Sequence, residues 1–211
     1  MMVTGQRYEF SGRMTLTGIF QNHLGGMRMA KTLIFLADGF EEVEALTVVD
    51  LVRRAGIEMK MVSITGKKQV VGAHKIVVEA DVLFEDADLA SADGLVLPGG
   101  MPGTRNLEAF APLIEGLKKA NAEGRLVAAI CAAPLILGKN HILEGKKASC
   151  YPGFEGDLLG AKVSEDPVSV DGNAITSRGV GTAILFAGEI ITYLDNKAKA
   201  EEVFSSIIYQ A

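Results

Sequence analysis

The chain has no tryptophan, two cysteines and three histidines among 211 residues, and aromatics make up 6%. Each scarcity removes a class of protein. Two cysteines without framework spacing fit a reducing cytosol better than a secreted, disulfide-stapled fold. Cysteine and histidine never fall into a zinc-binding spacing, and neither a metal nor a cofactor is expected. No apolar run approaches the length of a membrane span. Lysine and arginine total 21 against 26 acids, a net charge of -5. With no basic stripe and no interleaved aromatics, specific nucleic-acid binding is not expected. No Gly-x-x-x-x-Gly-Lys-Ser/Thr element is present to cradle a phosphate, which removes a kinase reading.

Apolar residues make up 48% of the chain, enough for one large core, while the length is too short for two ordinary domains and a linker. The expected division is therefore a leader over 1–28 and a single domain over 29–211. The leader carries Arg7, Arg13 and Arg28 against one acid, Glu9, and shows no periodicity. It has no continuous apolar segment of the secretory kind. Its acid-poor composition also fits an organelle transit peptide. The simpler reading is an upstream start or added leader, with Met27 or Met29 as the natural beginning and weak order before it.

From Ala30 onward, strand and helix patterns alternate. Residues 31–37 read as a buried strand, 41–55 as a helix stopped by Gly56, and 57–64 as a second strand. Val70-Val71 and residues 76–78 read as a short antiparallel excursion. A core strand over 94–98 ends in Gly99-Gly100. Helical segments over 107–123 are broken near Pro112, and another core strand covers 126–130. A short strand follows at 147–150, and Asp171-Gly172-Asn173 marks a hairpin between 168–170 and 174–176. Helices over 182–194 and 199–209 complete the chain. Near-continuous apolar strands alternating with helices define an α/β domain, a mainly parallel sheet sandwiched by helices. In such sheets, sites form beyond the carboxyl ends of the strands.

Three features fall there. Cys131 sits where the strand Leu126–Ile130 turns at once into a helical pattern, the geometry of a nucleophile elbow. The amide groups and dipole at such a helix start favour a thiolate near neutral pH. The opposing reading is a buried cysteine acting as a small hydrophobe. Gly99 and Gly100 let backbone N–H groups approach a ligand and, with the N–H of Ala132, form an oxyanion hole. Otherwise they are an ordinary turn. Glu41, Glu42 and Glu44 open the first helix, where dipole effects alone favour acids. Glu44 stands in an apolar setting that would raise its pKa and suit it to sharing a proton with a thiol. Cys150 reads as structural or as a second thiol near the site. His74 and His141 read as surface residues, and Arg178 as an anion ligand or a structural ion-pair partner.

Four segments, in this order, resemble the ThiJ/PfpI family, the group of parkinsonism-associated protein deglycases and their bacterial-type relatives. They are Ala37-Asp38-Gly39-Phe40-Glu41-Glu42-Val43-Glu44, Val96-Leu97-Pro98-Gly99-Gly100, Ala128-Ala129-Ile130-Cys131-Ala132-Ala133-Pro134 and Thr176-Ser177-Arg178-Gly179-Val180-Gly181-Thr182, with Arg53-Arg54-Ala55-Gly56 in support. The resemblance spans Met29 to about Gln210. It implies a flavodoxin-like fold, related to class I glutamine amidotransferases, and a homodimer. It implies that Cys131 is the reactive cysteine and Glu44 its protonated partner. Gly99, Gly100 and Ala132 are the backbone donors, and Arg178 and Tyr151 lie on the substrate side. Some members carry a histidine where this chain has Tyr151, so a Cys–His–acid triad is absent there. That argues against peptidase and glutaminase activity, which need an acid for the leaving group. The expected function is a cofactor-free, glutathione-independent glyoxalase or deglycase acting on methylglyoxal or glycated protein and nucleotide, in carbonyl and oxidative stress defence. The alternative is a non-enzymatic redox sensor or chaperone using an oxidisable cysteine.

Overall fold

The computed structural model describes residues 29–210, and the expectation for the leader lies outside them. Six elements build the first half: β1 (Lys31–Leu36), α1 (Glu42–Arg54), β2 (Glu58–Ser63), β3 (Gln69–Val71), β4 (Val77–Glu79) and β5 (Val82–Leu83). Then come β6 (Gly94–Leu97), α2 (Gly103–Glu108), α3 (Ala111–Ala122), β7 (Leu126–Ile130) and α4 (Pro134–Lys139). The chain ends with β8 (Lys147–Ala148), β9 (Lys162–Val163), β10 (Val168–Asp171), β11 (Ala174–Ser177), α5 (Ala183–Leu194) and α6 (Lys197–Ser206).

Seven strands form one sheet in the order β10-β11-β7-β6-β1-β2-β5. Every pairing in it is parallel except the β10–β11 hairpin. The central strands are apolar on both sides of the pleat because both faces are covered. Ile34 and Leu36 of β1, with Ala128 and Ile130 of β7, pack into the layer built by α1, α5 and α6. Leu33 and Phe35, with Val127 and Ala129, pack into the layer built by α2, α3 and α4. This is a mainly parallel α/β sandwich, as the alternation in the sequence implies, and it is flavodoxin-like, as the family resemblance implies.

The helices end where the chemistry dictates. α1 carries Glu42 and Glu44 in its first turn and Arg53 and Arg54 in its last, matching the dipole. Gly56, at φ +79°, takes the left-handed position after its end. The break expected near Pro112 lies at 109–110, and Pro112 serves as an early residue of α3, where its missing N–H costs nothing. The last helix starts and stops earlier than its apolar pattern suggests. Asn196 caps it by accepting from the Lys199 N–H at 3.0 Å, and the chain leaves the helix before Ile208 at φ +58°. β5 and β9, two residues each, carry no pattern long enough to read.

The sheet order decides where the site lies. The four family-like segments follow β1, β6, β7 and β11, which are consecutive neighbours in the sheet and run in one direction. Their carboxyl ends therefore open side by side.

Candidate active site

At that edge the backbone of Cys131 is left-handed, with φ +64°. A side chain in this region costs about 1–3 kcal/mol and persists only where its surroundings impose it. Here they do. The Cys131 N–H donates to the Ser177 carbonyl at 3.0 Å, and the Cys131 carbonyl accepts from the Tyr151 N–H at 2.7 Å. β7 thus runs straight into a fixed elbow that presents the thiol to a cavity of about 780 Å³. Glu41, Glu44, His74, Gly100, Tyr151 and Arg178 also line this cavity.

Glu44 projects from the first turn of α1 and is fully buried. Its Oε2 accepts from the Gly99 N–H at 2.9 Å, while its Oε1 is buried with no hydrogen-bond partner among the described residues. Burial raises its pKa to about 7, with the charge of Glu41 adding to the effect and hydrogen bonds from Gly99 and Cys131 opposing it. The carboxyl is therefore held protonated well above the ordinary carboxylate range.

The thiol departs from the sequence expectation. Burial pushes Cys131 up to about 12, and the charge and hydrogen bond of Glu44 push the same way, against the backbone N–H groups of Gly100 and Ala132. The helix start expected to lower it contributes little: α4 begins three residues later, at Pro134, and has only six residues. Between about 7 and about 12 the Cys131–Glu44 pair holds a single proton. When that proton sits on Glu44, the opposing charge is gone and the sulfur faces two amide donors.

The backbone donors divide into two roles. Gly100 and Ala132 direct their N–H groups at the sulfur. Gly99, expected to be a third oxyanion donor, instead gives its N–H to Glu44, because the carboxyl lies directly against it. Arg178 is partly buried at the cavity. Its Nη1 donates to the Glu165 carbonyl at 3.2 Å, and no carboxylate pairs with it among the described residues, so the ion-pair reading fails. Tyr151 is half exposed at the rim. Cys150 does not line the cavity; it is buried, and burial pushes its thiol up to about 11.

The sequence reading named His74, Glu41 and Glu42 but not their meeting at the cavity wall. His74 lies on the surface, as expected, but its Nδ1 stands 2.9 Å from Glu42 Oε2 and 3.5 Å from Glu41 Oε2. Burial of Glu42 is more than offset by its bonds to His74 and Ile76, which hold its carboxyl below the usual range. No periodicity could signal this meeting, which depends on the β3–β4 hairpin folding over the start of α1.

An α/β sandwich with a cysteine on a strained strand-to-helix elbow and a buried carboxyl beside it defines a class of cysteine-centred flavodoxin-like proteins. Within that class the chain belongs to the DJ-1/PfpI family, which matches residues 30–193. It is 40% identical over 180 residues to Protein DJ-1 homolog B of Arabidopsis thaliana, covering 84% of this chain and 41% of that protein. It spans less than half the length of each of the two Arabidopsis relatives it matches, 41% and 46%. A deglycase of Pyrococcus abyssi is 33% identical over 166 residues, covering 78% of this chain and 99% of that one. The structure of oxidized DJ-1 from Toxoplasma gondii superposes with a TM-score of 0.83 at 34% identity, covering 86% of this chain and all of that one. No helix among the described residues is long and apolar enough to cross a membrane.

Proposed function

We propose that this protein is a cysteine-dependent, glutathione-independent glyoxalase that also removes early glyoxal adducts as a deglycase. The observation that carries the reading is the Cys131–Glu44 pair: a thiol on a fixed elbow beside a buried carboxyl that keeps a proton near neutral pH. The Pyrococcus relative named as a deglycase supports it.

The chemistry needs only groups of this chain. The Cys131 thiolate adds to the aldehyde carbon of methylglyoxal, and the resulting alkoxide takes the proton from Glu44, giving a hemithioacetal. Glu44, now a carboxylate, removes the hydrogen from that carbon and returns it to the neighbouring one, while the hydroxyl proton of the first carbon passes to the former ketone oxygen, leaving a carbonyl on the first carbon and a hydroxyl on the second. The product is a lactoyl thioester on Cys131. Water hydrolyses it to lactate and restores the thiol, so the sum is methylglyoxal plus water giving lactate. The Gly100 and Ala132 N–H groups offset negative charge at the start and end of the sequence. Tyr151 and Arg178 border the space a substrate would fill.

A second reading uses the same thiol as a redox sensor. The Toxoplasma relative was solved in an oxidized form, and two amides beside a protonated carboxyl suit a sulfinate. The two readings separate on Glu44. Lactate formed without glutathione, lost in both Cys131→Ser and Glu44→Gln, establishes the enzyme. No lactate above buffer, from protein whose Cys131 still alkylates, turns the assignment to sensing.

Two further assignments belong to this proposal. Cys131 and Cys150 are both free thiols, which supports a cytoplasmic setting. Val43 and Leu46 on α1 and Ile76 and Val77 at β4 are exposed, and the Glu42 carboxyl joins the two segments through the Ile76 N–H. This apolar patch supports a homodimer.

A further inference from the structure

We propose that Glu41, Glu42 and His74 form a site for a borderline divalent cation, of the zinc class, at the rim of the Cys131 cavity. One ligand atom from each residue, two carboxylate oxygens and an imidazole nitrogen, lies within 4.8 Å of the other two. One oxygen of each carboxylate is already fixed by backbone. Glu42 Oε1 accepts from the His74 N–H at 2.7 Å and the Ile76 N–H at 3.4 Å, and Glu41 Oε1 accepts from the Val43 N–H at 3.4 Å. The other oxygen of each, Oε2, faces His74 Nδ1. Backbone-anchored carboxylates of this kind are what orient ligands around a metal.

The donor set selects the ion. Two carboxylates and one imidazole suit zinc, manganese or ferrous iron, whereas magnesium and calcium take oxygen ligands and copper(I) takes sulfur. Three protein ligands leave at least one position open for water, the pattern of an accessible site. A second observation concerns the same cavity. Glu41 and His74 line the cavity that also holds Glu44, whose Oε1 is fully buried and has no hydrogen-bond partner among the described residues. It is an acceptor suited to water carried in by a bound ion. Without a metal, a proton on His74 would neutralise the same carboxylates, so proton and cation compete for one nitrogen. The site shares the cavity of the proposed dicarbonyl chemistry, but its three ligands take no part in those steps and its metal binding is tested without them.

The test is calorimetric titration of zinc into the reduced full chain, with Cys131→Ser as the background that removes the nearby soft donor. The expected result is one zinc per chain in Cys131→Ser, weakened in His74→Ala by more than the roughly 10–100-fold that loss of an outer-shell partner costs. Glu41→Gln, which keeps the fold-bearing bonds of Glu42, should weaken it similarly. Cobalt should show tetrahedral ligand-field bands in Cys131→Ser and lose them in His74→Ala. Absence of zinc binding, or binding unchanged in a folded His74→Ala protein, overturns the site and leaves His74 as an imidazolium between two carboxylates.

Discussion

The Gly99 N–H donates to Glu44 Oε2 across 2.9 Å, and this bond ties the end of β6 to the first turn of α1. It also brings the Gly99 backbone against the Cys131–Glu44 pair. A Cβ built on Gly99 would stand 2.5 Å from Cys131 Cβ and 2.7 Å from Glu44 Oε2, closer than real atoms allow. Gly99→Ala is therefore expected to separate thiol from carboxyl. It should cost about 1–3 kcal/mol of stability, the range of an overpacked core, and remove lactate formation. Urea unfolding and a methylglyoxal assay measure both. An alanine variant with native stability and activity would show that the pair tolerates the displacement.

The raised pKa of Glu44 makes stability depend on pH. The fold favours the protonated carboxyl, so its contribution is complete below the ordinary value of 4.5 and is lost as pH rises through about 7. A shift of this size corresponds to about 3 kcal/mol. Between about pH 4 and pH 8, native protein should lose that much unfolding free energy relative to Glu44→Gln, which cannot titrate. Parallel denaturation curves at each pH give the difference. A constant gap between the two proteins would place the titration elsewhere.

Much of this architecture was legible in the sequence, for a physical reason. Strands buried on both faces must be apolar throughout, so β1, β6 and β7 announce themselves and their ends, and the residues at those ends follow. Cys131, Glu44 and Gly100 were identifiable because each sits at a strand end or a helix start. The role of Gly99 was not, since which N–H meets the sulfur and which meets the carboxyl is set by packing between α1 and the β6 turn. The thiol's environment was also misjudged. A short helix starting three residues late cannot offset burial beside an acid. His74 stayed hidden because its partners lie 32 and 33 positions away, on another element.

Among the described residues, Arg178 at the cavity has only a backbone carbonyl, that of Glu165, as hydrogen-bond partner. A guanidinium in that state is free to bind an anionic group of a substrate. For an adduct carrying a carboxylate or phosphate, Arg178→Ala should raise KM by about tenfold or more, the loss of one charged hydrogen bond. It should leave kcat and the alkylation rate of Cys131 unchanged, because Arg178 does not enter the proton transfers. Steady-state kinetics with a charged and an uncharged adduct give the comparison. An equal loss with both would make Arg178 a structural residue of the cavity wall.

Leu46 tests the proposed dimer. It is 37% exposed on α1, one turn after Val43, which is 49% exposed, and it faces away from the core that Ala45, Val48 and Val49 fill. Two apolar side chains at this spacing form a stripe on the outer surface of the helix. A two-fold interface repeats every contact, so one substitution alters both halves at once. Leu46→Glu would place two carboxylates in a surface losing water, at a cost that breaks a dimer of ordinary affinity. Because Leu46 adds little to the monomer core, its circular dichroism and thiol reactivity should survive while sedimentation equilibrium reports a monomer. If native protein is already monomeric, or Leu46→Glu stays dimeric, the patch on α1 and β4 is not the interface.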